Sequence, residues 1–290
     1  MEWNLLLYEE AALAKEEQLH RWEKNEAAAR GIRCVTWSGE LSQQTIDGIC
    51  AHCDTTPENL LVIVTKRQEW ELVRRLNAAA LPYVPAGAQD TVFFAGAWIV
   101  VEGFEEVDYD FLLKCYERAH DLPWEILRTK RCHLRELALS DLDDLFLLYG
   151  KPGVTRYMEG LYERDEEERY QRAYIANMYR YYGYGMWLVC TNDDGRVIGR
   201  AGLEHREYHG QLEMEMGYLI APEEQHKGYA TEVCRAILEY ARTNLDFPSV
   251  NCLIQTENTA SKKLAGKLGF TFLEKMTEDG QEMERYIYCF

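Results

Sequence analysis

A change of rhythm near the middle of the chain limits what it can become. Before about Ile126, short and wholly apolar runs alternate with helical stretches. Leu5-Leu6-Leu7-Tyr8 leads into an Ala/Glu-rich helix that Gly31 stops, and Ile32 to Trp37 follows as a strand. Leu60-Leu61-Val62-Ile63-Val64-Thr65, a helix from about Arg67 to Ala80, and Leu81-Pro82-Tyr83-Val84 repeat that order; Trp98 to Val101 and Asp108 to His120 add a strand and a helix. Strands without a polar side must be covered on both faces, so this rhythm predicts an α/β domain, a parallel sheet clad in helices.

Beyond the turn-like joint His120-Asp121-Leu122-Pro123-Trp124 the pattern differs. A strand from about Cys132 to Leu137 precedes a helix opened by Ser140, and a further helix covers roughly Asp165 to Arg180. Gly185 to Cys190 and Arg196 to Arg206 then pair as strands across Asn192-Asp193-Asp194-Gly195, a hairpin turn. Leu212 to Ile220 alternates: Met214, Met216, Tyr218 and Ile220 point one way, Glu213, Glu215 and Gly217 the other. Val233, Ile237, Tyr240 and Ala241 space out as one helix face. A single core stops growing near this chain's 290 residues. The two rhythms are therefore assigned to two domains, residues 1–126 and 127–290.

Charge narrows the partners. The chain has 49 acidic against 32 basic side chains, a formal net charge of −17. The excess is steeper up to Ile126, with 11 basic and 22 acidic residues, than beyond it, with 21 and 27. Nucleic acid and anionic lipid both need a basic surface, so neither is expected as a partner; a cationic or neutral acceptor fits better. The longest apolar run, Val92 to Val101, is far short of the ~18 residues a membrane helix needs. Glu9, Glu10, Glu16 and Glu17 are foreign to a signal or transit peptide, so a cytoplasmic protein is expected. Nine cysteines, an odd number, point to reduced thiols. Cys50-Ala51-His52-Cys53 lacks both the second ligand pair of a zinc site and the preceding strand of a redox motif, so no metal is expected.

After the strand ending Leu219-Ile220-Ala221-Pro222 comes Gln225-His226-Lys227-Gly228-Tyr229-Ala230, opening the next helix. A loop entering a helix offers unpaired N–H groups and the positive end of the helix dipole, the chemistry that holds a pyrophosphate. This stretch resembles the glutamine/arginine-x-x-glycine-x-glycine/alanine loop of the GCN5-related N-acetyltransferases (GNAT), between that family's fourth strand and third helix. Asn258-Thr259-Ala260-Ser261 and Lys267-Leu268-Gly269-Phe270 resemble its second signature. Glu215 to Pro222 and Thr129 to Leu137 resemble the branch containing the ribosomal-protein N-terminal acetyltransferases. The resemblance spans about Leu127 to Phe290. It implies an α+β domain with a mixed, mostly antiparallel sheet that moves acetyl from acetyl-coenzyme A to a primary amine, on a protein N-terminus or a small molecule.

For the site, the resemblance implies that the pantetheine pairs with Leu219, Ile220 and Ala221. Gln225, His226, Lys227, Gly228, Tyr229, Ala230 and Thr231 would surround the pyrophosphate, and Asn258 and Ser261 would line the channel. Lys227, Lys262, Lys263 and Lys267 are candidates to neutralise the phosphates. Where many members carry a tyrosine acid for the departing thiolate, this chain has Ala265, and Gly266 stands where glutamate is common. Ser261 is then the candidate acid, with a plain coenzyme contact as its other reading. Glu215 occupies the position from which the histone-acetylating branch takes its base; a structural glutamate pairing with a neighbouring strand is the alternative, and Glu213 and Glu204 are weaker candidates. Tyr181, Tyr182 and Tyr184 fall where the family walls its acceptor site. A homodimer is compatible with the family.

The first domain faintly resembles a dehalogenase-type α/β fold through Val62-Ile63-Val64-Thr65 and Trp98-Ile99-Val100-Val101-Glu102, without that family's strand-end aspartate. No glycine-rich turn follows its strands, and Glu9-Glu10 would repel an anion, so a non-catalytic regulatory, dimerising or gating role is expected. The rival reading for the whole chain is an acyl-coenzyme A sensor that binds without turnover, which the missing tyrosine permits.

Overall fold

The computed structural model describes residues 3–86, 94, 96–245 and 247–290; the apolar run beginning at Val92 lies partly outside them. The chain divides into two compact units, Met1–Trp124 and Glu125–Phe290.

In the first unit β1 (Leu5–Glu9), β2 (Arg33–Trp37), β3 (Leu60–Val64) and β4 (Ala79–Pro82) form a parallel sheet in the order β2-β1-β3-β4. Both inner strands feed an outer neighbour, so the two strand–helix–strand units of the sequence lie side by side. Every residue of β3 is buried, each apolar side chain contributing on the order of 1.5–3 kcal/mol relative to exposure. The helices are α1 (Glu10–Leu13), α2 (Glu17–Trp22), α3 (Gln43–Cys53), α4 (Arg67–Arg75) and α5 (Tyr109–Ala119).

Three expectations for this unit change. The Ala/Glu-rich helix is broken: after α2 it continues as a π turn, Glu23–Ala27, and a 3₁₀ turn, Ala28–Arg30, before Gly31 ends it at φ 72°. Helix α4 stops at Arg75, not Ala80, because Asn77 adopts a left-handed φ of 58° that a right-handed helix cannot continue. Trp98 to Val101 is not a strand; of these residues only Val101 pairs, in an isolated bridge to Tyr83.

The second unit is an eight-stranded sheet in the order β11-β12-β10-β9-β8-β7-β6-β5. Its strands are β5 (Glu125–Arg128), β6 (Cys132–Arg135), β7 (Met186–Thr191), β8 (Val197–Tyr208), β9 (Gln211–Ile220), β10 (Ser249–Gln255), β11 (Thr271–Glu278) and β12 (Gln281–Cys289). Neighbours run antiparallel except β9 and β10, which are parallel. Helices α6 (Leu142–Tyr149) and α7 (Arg164–Tyr174) precede β7; α8 (Tyr229–Asn244) links β9 to β10, and α9 (Thr259–Leu268) links β10 to β11. Val233, Cys234 and Ile237 of α8 share a core with Met214 and Met216 of β9, and the buried Trp187 meets Tyr240 edge-on at 5.4 Å. Past Tyr174 the α7 helix widens into a π segment, Ile175–Tyr182, a device common near functional sites. No helix among the described residues is long and apolar enough to cross a membrane.

Candidate active site

The parallel step is short. Strands β9 and β10 pair only at Met214/Val250 and Glu215/Asn251, so the edge of β9 facing β10 is released from Met216 to Ile220. The other edge of β9 remains bonded to β8 throughout, down to Ile220 opposite Gly199. This leaves extended backbone at the strand end, including Leu219 and Ile220, with no strand partner on that edge.

The loop after β9 is held open by local chemistry. Ala221 N donates to Ile198 O at 2.8 Å, and Gln225 turns its side-chain amide back onto Ile220 O at 2.9 Å. Gln225 thus braces the strand end. His226 at φ 62° and Gly228 at φ 88° both lie in the left-handed region, where glycine alone is free of Cβ strain. No side chain caps α8, and its first turn closes with Glu232 N on Gly228 O at 3.1 Å. The N–H groups of Tyr229, Ala230 and Thr231 therefore have no helical partner and face outward at the positive helix end.

Two of the expected lysines are committed elsewhere. Lys227 Nζ is 2.9 Å from Glu224, which also holds Arg196, and Lys262 Nζ is 3.3 Å from Glu284. Lys267 does approach the loop, with Nζ 3.4 Å from Thr231 Oγ1. Sequence reasoning missed Arg131. Its guanidinium lies 4.1 Å over the Tyr229 ring, its Nε binds Glu232 at 2.7 Å, and its Nη1 donates to Lys227 O at 3.0 Å. Although burial pushes the Glu232 carboxyl up, the hydrogen bonds from Arg131 and Thr129 together outweigh it and hold the group below its ordinary value.

Asn258 serves as the N-cap of α9, accepting from Ser261 N at 3.1 Å. The carbonyl of Ser261 accepts from the Tyr218 hydroxyl at 3.4 Å, so a residue of the released strand reaches across to the helix. Burial raises the Tyr218 phenol, which stays protonated at neutral pH. Ala265 is buried in the core shared with α8 and leaves no hydroxyl at its position.

Glu215 and Glu204 stand directly opposite each other on β9 and β8. Glu215 accepts from the Tyr208 hydroxyl and from Arg206 Nη1 at 3.2 Å. Burial raises its carboxyl, and the bonds from Tyr208 and Arg206 offset only part of that rise. Glu204 accepts from Tyr174 at 2.6 Å. Glu213 is taken by Arg285 at 2.5 Å and Asn251 at 2.9 Å, and Arg285 also binds Glu274 while stacking 3.9 Å over Tyr208. Arg206 reaches Glu278 of β11 as well. Four carboxylates, Glu213, Glu215, Glu274 and Glu278, thus share two guanidiniums, Arg206 and Arg285, while Glu204 is held by Tyr174.

The tyrosines separate by the pleat of β8. Tyr174 joins Glu204, whereas the rings of Tyr182 and Tyr184 lie 4.4 and 6.2 Å from His205, the next residue along and on the opposite face. Tyr181 is 80% exposed and packs edge-on to Tyr182 at 4.9 Å; Tyr184 is buried. In the first unit, Cys50 and Cys53 are buried free thiols of α3, burial raising the Cys50 thiol. Among the described residues no group of three or more His, Cys, Asp or Glu side chains could hold a metal.

A mixed sheet with one parallel step opening beside an uncapped, glycine-led helix start is the arrangement that the resemblance to the acetyltransferases implies. The acetyltransferase (GNAT) domain profile matches residues 131–271. The uncharacterized protein YkkB of Bacillus subtilis (strain 168) is 31% identical over 147 residues, 50% of this chain and 85% of its own length. YoaA of the same organism, described as an uncharacterized N-acetyltransferase, is 27% identical over 172 residues, 56% of this chain and 94% of its own. Among solved structures, RimL, a ribosomal α-N-protein acetyltransferase in complex with coenzyme A, aligns with a TM-score of 0.50 at 17% identity, over 57% of this chain and 98% of its own, a likeness of fold. The chain belongs to the GNAT family through its C-terminal half and is an N-acetyltransferase.

Proposed function

We propose that the C-terminal unit transfers acetyl from acetyl-coenzyme A to a cationic primary amine by direct attack in a ternary complex. The observation that carries this reading is Gly228 in a left-handed conformation at the uncapped start of α8, beside the released edge of β9. The pantetheine pairs with Leu219 to Ala221, and the pyrophosphate sits on the N–H groups from His226 to Thr231. Gln225 keeps the strand end in place. Asn258 positions Ser261 along the coenzyme channel.

The acceptor amine arrives protonated, and its attack needs a free lone pair. Glu215, with its carboxyl raised by burial, accepts that proton. Nitrogen then attacks the thioester carbon, the backbone N–H groups near Ile220 hold the developing oxyanion, and the carbon–sulfur bond breaks. The proton the nitrogen sheds on becoming an amide passes through the Ser261 hydroxyl to the departing thiolate, which leaves Ser261 protonated as before. Glu213, Glu215, Glu274 and Glu278 against Arg206 and Arg285 leave a surplus of carboxylates that favours a cationic acceptor. Tyr174, bonded to Glu204 opposite Glu215, is the tyrosine on that face of β8, whereas Tyr182 and Tyr184 lie at His205 on the other. The first unit, non-catalytic, acts on acceptor choice or assembly.

Ala265 supports a second reading, a sensor that binds the coenzyme without turnover. Thiol release from acetyl-coenzyme A with polyamines, aminoglycosides and peptide N-termini separates the two. Amine-dependent release is expected, fastest with multiply charged acceptors; tight binding without release from any amine makes the chain a sensor.

A further inference from the structure

An anionic coenzyme must bind an acidic protein at a loop where Lys227 is spent on Glu224 and Lys262 on Glu284. We propose that Arg131, from the turn between β5 and β6, is a binding residue that donates its unused Nη2 hydrogens to the coenzyme phosphates. The inference rests on the reading of residues 225–231 as the coenzyme loop.

Arginine presents five N–H donors in a rigid planar fork. Two of Arg131's are used: Nε on Glu232 at 2.7 Å and Nη1 on Lys227 O at 3.0 Å. Glu232 also accepts from the Arg131 backbone N at 2.9 Å, so it grips the residue at two points. The Tyr229 ring, 4.1 Å away, fixes the plane of the fork. Nη2 has no hydrogen-bond partner among the described residues and stands 3.6 Å from the place a Cβ would take on Gly228. It is thus held beside the free N–H groups of Tyr229, Ala230 and Thr231, with Lys267 at Thr231. Glu232, Lys227 O and Tyr229 hold the guanidinium in place, so little entropy is lost when its remaining donors meet a phosphate.

The alternative is that Arg131 only staples the β5–β6 turn to the loop. The two roles separate on the donor. S-acetylpantetheine carries the thioester arm without the nucleotide and its pyrophosphate, so steady-state kinetics of the full chain with each donor isolate the phosphate contribution. For Arg131→Gln, the KM for acetyl-coenzyme A should rise about ten- to hundred-fold, the worth of a hydrogen bond to a charged group, with kcat unchanged. The KM for S-acetylpantetheine should stay within about two-fold. Arg131→Lys should recover only part of the loss, because a point charge cannot hold Glu232 and a phosphate in one plane. Glu232→Gln should raise the KM for acetyl-coenzyme A by less than Arg131→Gln does, because the amide oxygen still accepts from Arg131 but holds the fork less firmly.

Equal losses with both donors, or a Glu232→Gln defect matching that of Arg131→Gln, would mean a staple and overturn the proposal; so would an unchanged KM in Arg131→Gln. Failure of the underlying loop reading has its own signature: a wild-type protein that uses S-acetylpantetheine as well as acetyl-coenzyme A gains nothing from phosphates at all.

Discussion

The two sheets of this protein each contain a parallel pair at their centre, and they use it in opposite ways. In the first unit β1 and β3 stay in register from Leu5/Leu60 to Tyr8/Ile63, and the residues between are buried. In the second, β9 and β10 pair at two positions and then part. A closed parallel pair satisfies its backbone and makes core; an open one leaves donors and acceptors that a ligand can complete. The contrast extends past the strand ends. Helix α1 after β1 begins with Glu10 and has no glycine, whereas α8 begins at Gly228 with its N–H groups uncapped. Parallel pairing therefore says little about function until one asks where it stops.

The most direct challenge to that contrast is to close the open end. Gly228→Asp puts a carboxylate beside the free N–H groups and a Cβ on a backbone at φ 88°; coenzyme binding by calorimetry should be abolished while circular dichroism reports an intact fold. Unchanged affinity would remove the loop from the site.

Next in size, Glu215→Gln should lower turnover by roughly 10²-fold at near-constant coenzyme affinity. A base works only when ionised. Because burial raises this carboxyl, the wild-type rate should fall with decreasing pH through a value above the ordinary glutamate range of about 4.3. The variant should lack that limb, and its deficit should shrink as pH rises and free amine accumulates. Wild-type turnover in Glu215→Gln, with a saturating acceptor, would make the residue structural.

Smaller effects should follow at α9. Ser261→Ala should lower kcat about ten-fold with binding intact if the hydroxyl protonates the thiolate, and weaken binding alone if it only lines the channel. Tyr218→Phe keeps the ring and loses the bond to Ser261 O, so a few-fold fall in kcat is expected, absent in the Ser261→Ala background because neighbouring residues acting as a unit are not additive. Independent, additive losses would separate Tyr218 from Ser261.

The smallest change expected is none: a fragment of residues 127–290 should keep its coenzyme affinity, measured by calorimetry. A folded fragment that no longer binds would show that the closed sheet supports the open one.

Much of the fold was legible because its signals are local. An unbroken apolar run such as Leu60 to Val64 has no polar face to show to water, and the alternation from Leu212 to Ile220 encodes a two-residue pleat. That pleat placed Glu215 opposite the methionines, and the glycine spacing placed the loop. Local patterns misled where backbone geometry is set by a single residue, as at Asn77, or where a strand needs an edge to join, as at Trp98 to Val101.

Reading the residues in order was enough to find most strands and helices, the glycine-led helix start after a strand, and the side of β9 that each residue faces. Only packing brought the charges of the site together. Arg131 reaches Lys227 and Glu232 across 96 and 101 residues of chain, and nothing in its own neighbours announces it. The same holds for Lys227 and Lys262, drawn off by Glu224 and Glu284, for Tyr182 and Tyr184, gathered on His205 while Tyr174 serves Glu204, and for Arg206 bridging Glu215 to Glu278. Periodicity follows from the geometry of one strand or one turn of helix and is written in adjacent residues. Ion pairing depends on distances between side chains from separate elements, which exist only once those elements have packed.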